Sequence, residues 1–231
     1  MKQRFINLVK TQKVFLIGWL LIVMALTMAL GFTDKATLHV ALNDGIDLGH
    51  GTGLHTPFLD QFFFYFTKIA EYVPYIVIVA LLFYQYGWAI IAALGQLGAT
   101  LTTQALKHIF NHPRPKTFFE SNYPELIPDL HWLEQLNMHS WYSFPSGHTT
   151  AFFSLFFLLS LMTDKKWLQA LYLVLAALGG YSRIYLSQHF SADVLAGCII
   201  GVVLTAIIYS IPWPQNQPWA RKSLRDVRCK K

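Results

Sequence analysis

The chain has 231 residues, 54% of them hydrophobic and 13% charged; soluble domains carry about 25% charged residues. The deficit lies in long uncharged runs, which excludes a soluble globular protein and points to an integral membrane protein. Two cysteines, Cys198 in an apolar run and Cys229 in a basic tail, imply no disulfide or zinc framework.

Met1 to Lys13 is polar and basic, and Val14 to Phe32 is an uncharged run long enough to cross a bilayer. Its apolar core exceeds that of a signal peptide, and Ala29-Leu30-Gly31 is a poor cleavage site, so it reads as an uncleaved first span. Thr33 to Asp60 is a loop with four glycines and a short helix around Ala36 to Leu42. Phe58 to Phe66 is rich in aromatic rings, which suits an interfacial belt or a wall for a lipid tail.

A second span is expected from Ile69 to Tyr86, with Glu71 at an interfacial start and a kink at Pro74. Gly87-Trp88 then makes a tight turn. The third span, Ala89 to Leu106, carries Gln96, Thr100, Thr102, Thr103 and Gln104, so one face should point into a bundle. Lys107 to Thr149 is the longest polar segment; its prolines end the third span sharply, and a short helix is expected near Leu130 to Asn137. A fourth span covers Ala151 to Met162, a fifth Leu168 to Tyr181 and a sixth Asp193 to Ile211. Gly197 and Gly201 form a GxxxG pair, a signal of close helix packing. The expectation is an all-α integral membrane six-helix bundle in a single domain, 1–231, with a polar outer loop between spans 3 and 4.

An even number of spans places both termini on one side. That side holds 12 of the 18 lysines and arginines, which marks it as cytoplasmic. The net charge of +6 is therefore topology and attraction to anionic headgroups, and no nucleic-acid partner is expected. All 9 histidines fall on the outer side.

Three short polar stretches at span ends carry the chemistry. The first runs from Lys107 to Lys116 and holds Lys107 and Arg114. The second is Phe144-Pro145-Ser146-Gly147-His148-Thr149-Thr150, directly before an apolar run. Ser146 suits an N-cap, Gly147 allows close approach of a ligand, and a helix N-terminus attracts anions. His148 adds a proton donor near neutral pH. The third runs from Ser182 to Asp193. If it is helical, His189 and Asp193 share a face, and the carboxylate fixes the imidazole tautomer. That pair is either the orienter and base of a catalytic group or a structural cap of the sixth span. Lys107, Arg114 and Arg183 as cations, with two imidazoles, suit phosphoryl transfer, where catalysis is positioning and charge neutralisation. His108 and His112, also four apart, lack a third ligand at recognisable spacing for a metal. His39, His50, His55, His131 and His139 read as loop residues.

Lys107-x6-Arg114-Pro115, Pro145-Ser146-Gly147-His148 and Ser182-Arg183-x5-His189-x3-Asp193 together resemble the three signature stretches of the type 2 phosphatidic acid phosphatase superfamily, which also includes vanadium haloperoxidases. The resemblance implies a membrane lipid phosphatase. His189 would be the nucleophile that becomes phosphohistidine, Asp193 would orient it, and His148 would be the acid and then the base. Lys107, Arg114, Ser146, Gly147 and Arg183 would hold the phosphate. It implies no metal and no cofactor, a lipid phosphate substrate and no obligate protein partner. The site would face the exterior of a bacterial-type inner membrane. Undecaprenyl diphosphate, phosphatidylglycerophosphate, phosphatidic acid and a lipid A phosphate all suit that reading. A haloperoxidase-like vanadate binder and a non-enzymatic transporter are the alternatives.

Overall fold

The computed structural model describes residues 1–43, 55–133, 135–212 and 216–228. Among these residues the chain is helical throughout, without a strand. The helices are α1 (Lys2–Thr11), α2 (Lys13–Phe32), α3 (Lys35–Asn43), α4 (Pro57–Phe66), α5 (Ile69–Tyr84), α6 (Tyr86–Phe110), α7 (Pro115–Asn122), α8 (Gly147–Leu161), α9 (Lys166–Tyr185), α10 (Ser191–Ser210) and α11 (Leu224–Arg228). Short 3-10 turns cover Pro124–Asp129 and Pro218–Arg221.

The six apolar runs fall on α2, α5, α6, α8, α9 and α10. By length and apolarity α2, the helix beginning at Tyr86, and α10 can each cross a membrane, and α4 with α5 makes a fourth such element. On α2 the side chains of Ile17, Leu20, Leu21, Met24 and Met28 are each more than half exposed. An apolar stripe of this kind is stable against lipid, not water. The protein is a multi-pass membrane protein.

α8 is the axis of the bundle. It is apolar all round, and 12 of its 15 residues are buried, as expected of a helix enclosed by neighbours. α10 lies against it through Gly197 and Gly201. A Cβ on Gly197 would stand 2.7 Å from the Ser146 carbonyl oxygen, and one on Gly201 2.6 Å from that of Thr150. The absence of side chains therefore lets the two backbones touch, as the GxxxG spacing suggested. Phe152, Phe153, Phe156 and Phe157 of α8 form the main core with Phe15 of α2 and Ala176 of α9.

Several boundaries differ from expectation. The polar N-terminal segment forms α1, anchored by buried Leu8. The sharp bend before the second span, 42°, falls at the break between α4 and α5, and Pro74 is accommodated inside α5. The following turn lies at Gln85, whose backbone is extended; Gly87 is helical and packs on the Ala220 carbonyl oxygen. The outer loop forms α7, started by Pro115, where a missing N–H is harmless. Residues 130–133 and 135–137 are not helical. Apolar side chains there turn inward singly, Leu130 into a small cap core with Ala36, Phe119 and Phe190. The glycine-rich part of the first loop, with His50, lies outside the described residues, as does Cys229.

Candidate active site

The ends of α6, α8 and α9 meet the segment before α10 at one end of the bundle. Between them lies a cavity of about 390 Å³. Lys107, Arg114, Gly147, His148, Arg183 and His189 all line it. Residues scattered over more than 80 positions of sequence thus share one wall, whereas Ser146 and Asp193 stand behind it, both almost wholly buried.

Local structure explains each position. α6 ends at Asn111, whose left-handed backbone (φ 43°) stops the helix after Lys107 has been presented on its last turn. Arg114 is the N-cap of α7. Its Nε donates to the Trp141 carbonyl at 3.1 Å and its Nη1 to Gln188 Oε1 at 3.2 Å, so the outer loop holds the guanidinium in place. Ser146 caps α8: its hydroxyl oxygen accepts from the Thr149 N–H at 3.4 Å and from Thr149 Oγ1 at 2.9 Å. Gly147 and His148, the first two residues of α8, face the cavity instead. The N-cap reading of Ser146 describes its contacts: its hydroxyl oxygen accepts from the helix.

Arg183 sits on the last turn of α9 and is 5% exposed. Its Nη1 donates to Thr67 Oγ1 at 2.6 Å, and its Nε has no partner. Among the described residues no carboxylate lies within 4.0 Å of Lys107, Arg114 or Arg183. Three cations with no carboxylate in direct contact, and only Asp193 and Glu71 acting on them at longer range, form an arrangement that an anion would complete.

His189 and Asp193 do not share a helix face. α9 ends at Tyr185, and the Arg183 carbonyl accepts from the N–H groups of both Gln188 and His189, at 2.9 and 3.1 Å. The turn passes through Ser187 at φ 49° and folds His189 back beside the start of α10. Asp193 is the third residue of α10, and its Oδ2 accepts the N–H of the N-cap Phe190 at 2.9 Å, which holds one carboxylate oxygen in place. That oxygen lies 3.4 Å from His189 Nδ1. The pairing arises from capping geometry rather than from helical spacing, and the carboxylate that caps α10 is the one beside the imidazole. With Nδ1 facing Asp193, Nε2 is the ring nitrogen left for the cavity.

Burial, followed by the positive charges of Arg114, Arg183 and Lys107, holds the His189 imidazole well below its ordinary pKa; a hydrogen bond to the Ser143 backbone acts the other way. These influences favour the neutral ring, with an unprotonated nitrogen available for attack. Burial and the same cations lower His139 at the rim.

Sequence reasoning missed two participants. Ser143 Oγ donates to Asp193 Oδ2 at 2.5 Å and lies 3.5 Å from His189 Nδ1, so it locks the pair together. Its only sequence signal is its place just before Phe144-Pro145. Glu71, read as an interfacial residue, reaches from α5 to His148, with Oε1 3.0 Å from Nε2. A carboxylate at a span end is a weak signal, because its partner lies 77 positions away. His108 and His112 do not share a helix; their rings pack against Tyr142 and Phe144. His39, read as a loop residue, lies on α3, fully buried between Phe119 and Phe190. In the aromatic stretch, Phe58 and Tyr65 are exposed on α4 while Phe64 lines the cavity.

Residues 86–217, more than half of the chain, match the family described as the PAP2 superfamily. The chain belongs to the PAP2 superfamily. A PAP2 relative in Bacteroides thetaiotaomicron, a lipid A 4'-phosphatase, is 30% identical over 64% of this chain and 68% of its own length. A lipid A 4'-phosphatase of Porphyromonas gingivalis is 29% identical over 72% of each. The crystal structure of Aquifex aeolicus LpxE superposes with a TM-score of 0.62 at 29% identity, over 77% of this chain and 95% of that one. A phosphatidylglycerolphosphate phosphatase from Bacillus subtilis, 22% identical, shares the fold with a TM-score of 0.55 over 87% of this chain and 94% of its own.

Proposed function

We propose that this PAP2 protein is a lipid phosphatase that hydrolyses its substrate in two displacements through His189. Its membership of the family and its phosphatase relatives make it a hydrolase of lipid phosphate bonds. The observation that carries the mechanism is the cavity itself: the His189 imidazole shares its wall with three cations that have no carboxylate within 4.0 Å among the described residues.

In the first displacement the Nε2 lone pair of His189 attacks phosphorus, and the bond to the lipid oxygen breaks. Burial and the surrounding cations hold His148 well below its ordinary pKa, the charge of a bound phosphate works the other way, and the protonated His148 gives that oxygen its proton. In the second, His148 takes a proton from water, the hydroxide attacks the phosphohistidine, and phosphate leaves with His189 restored. Asp193 and Ser143 hold the ring and stabilise the positive charge it acquires. Lys107, Arg114 and Arg183, with the N–H of Gly147, bear the charge on the non-bridging oxygens. Ser146 supports this indirectly, by fixing the start of α8. Metal is not needed for these steps, since the cations supply the charge.

Six spans, cytoplasmic termini and an outward site in a bacterial-type inner membrane follow from the charge distribution and are part of this proposal. The lipid tail would remain in the bilayer while its phosphate enters beside Phe64. The match spans 68% and 72% of the two lipid A 4'-phosphatases, so a lipid A phosphate heads the substrate panel; undecaprenyl diphosphate, phosphatidylglycerophosphate and phosphatidic acid complete it.

Purified protein should release phosphate from at least one of these four lipids, and His189→Ala should insert normally and release none. Most of the turnover surviving in that variant would reject His189 as the nucleophile. A cysteine replacing Ser140 should react with an impermeant thiol reagent on intact cells, and one replacing Lys166 should not; the reverse pattern would invert the topology.

A further inference from the structure

α9 ends at Tyr185, and a helix leaves the carbonyls of its last turn without intrahelical partners. Each of them is satisfied here. The Ser182 carbonyl accepts from the Leu186 N–H at 3.0 Å, and that of Arg183 from the N–H groups of Gln188 and His189. The Ile184 carbonyl accepts from the Ser187 N–H at 2.9 Å and from Asn43 Nδ2 at 3.2 Å. The Tyr185 carbonyl accepts from Asn43 Nδ2 at 2.8 Å. Asn43, the last residue of α3, is therefore the side-chain cap of α9, and it is fully buried. Its Oδ1 accepts the His131 N–H at 2.9 Å, which fixes the end of the amide that faces α9.

His39 stands one turn earlier on the same face of α3. Its Nε2 is 3.4 Å from Ser187 Oγ, and its ring packs edge-on against Phe190 with centroids 5.0 Å apart. Ser187 is the left-handed residue, φ 49°, at which the chain reverses. Such a backbone persists only where its surroundings hold it. Asn43 grips the turn before the reversal, and His39 grips it at and after the reversal. His189, carried between Ser187 and Phe190, faces the cavity, whereas neither Asn43 nor His39 lines it. Both precede residues 86–217 and so lie outside the stretch that matches the family.

We propose that Asn43 and His39 are positioning residues: α3 holds residues 184–190 from outside the cavity and sets the line along which His189 Nε2 approaches phosphorus. The proposal rests on the reading of His189 as the nucleophile. Attack needs reacting atoms roughly 3–3.5 Å apart and aligned, and a misplacement of about 1 Å can lower the rate about 10²-fold. Without the Asn43 amide the Tyr185 carbonyl loses its donor, and the turn has to shift to regain one. Lys107 and Gly147 sit on α6 and α8, and Arg114 is also held by the Trp141 carbonyl. A loosened turn therefore displaces the nucleophile and leaves most of the partners of the phosphate in place.

The test uses the full chain in detergent, with inorganic phosphate and vanadate as probes. Phosphate is held by the cations, whereas vanadate also takes a bond from the nucleophile and copies the five-coordinate transition state. Asn43→Leu keeps the size of the side chain and removes the amide. It should weaken vanadate binding about tenfold or more, phosphate binding less than about threefold, and lower kcat about 10²-fold with KM nearly unchanged. A residue that only supports the fold would weaken both anions alike. His39→Leu removes a ring whose Nδ1 is buried without a partner, so the fold tolerates it. It should give the same split, with vanadate weakened roughly threefold or more. Equal weakening of the two anions, or unchanged vanadate affinity and kcat, in either variant would overturn the proposal; if Asn43→Leu does not fold, His39→Leu decides alone. His189→Ala should bind vanadate no more tightly than phosphate. If it binds vanadate as the unaltered chain does, the nucleophile reading fails and takes this proposal with it, an outcome read independently of the Asn43 and His39 variants.

Discussion

Arg183→Met separates what the site contributes to function from what it costs the fold. The guanidinium is buried with one hydrogen bond, to Thr67, an unpartnered Nε, and no carboxylate within 4.0 Å among the described residues. Losing the charged hydrogen bond costs about 1.5–3 kcal/mol. Removing a buried unpaired donor recovers about 1–3 kcal/mol, and replacing buried ionic groups by apolar ones of similar size stabilises by about 1–4 kcal/mol. The net expectation is about 1 kcal/mol of added stability without an anion, a rise in Tm of roughly 2–4 °C. Tryptophan fluorescence during heating in detergent reads it. Vanadate should raise the Tm of the unaltered chain and leave that of the variant unchanged. Losing this charge from a preorganised site should lower kcat/KM by about 10³-fold, roughly 4 kcal/mol. A variant that melts several degrees below the parent in the absence of anion, yet still responds to vanadate, would refute the view of Arg183 as a charge waiting for phosphate.

Glu71→Gln removes a carboxylate 3.0 Å from His148 Nε2; kcat should fall about tenfold while KM stays level or drops, since a negative charge leaves the phosphate pocket, and an unchanged kcat would remove Glu71 from the acid–base step. His39 has its pKa lowered from 6.5 to about 3, chiefly by burial. Below pH 6.5 the unfolded chain binds a proton that the folded one refuses, so stability is complete above 6.5 and falls as pH drops toward 3. Between pH 7 and 5 the unaltered chain should lose about 2 kcal/mol relative to His39→Gln, and parallel pH profiles for the two would contradict this. Gly197→Ala places a Cβ 2.7 Å from the Ser146 carbonyl oxygen; overpacking should cost about 1–3 kcal/mol and displace the start of α8, and a variant with parental Tm and kcat would show that α10 and α8 need not touch there.

The sequence alone determined which segments are apolar enough for lipid, because burial in hydrocarbon leaves long uncharged runs that no other environment requires. It also determined which residue types stand at the span ends, from Lys107 to Asp193, since an anion site needs cations and imidazoles whatever the fold. Local rules reached a little further, to Ser146 as a cap and Gly197 with Gly201 as a packing face. Tertiary structure decided the rest. His189 meets Asp193 through a left-handed turn and a helix cap, not through the spacing that suggested the pair. Ser143, Glu71 and Thr67 gained their partners only when α5, α9 and α10 were set around α8. Such contacts join residues dozens of positions apart, and their geometry depends on how whole helices pack, which no local pattern encodes.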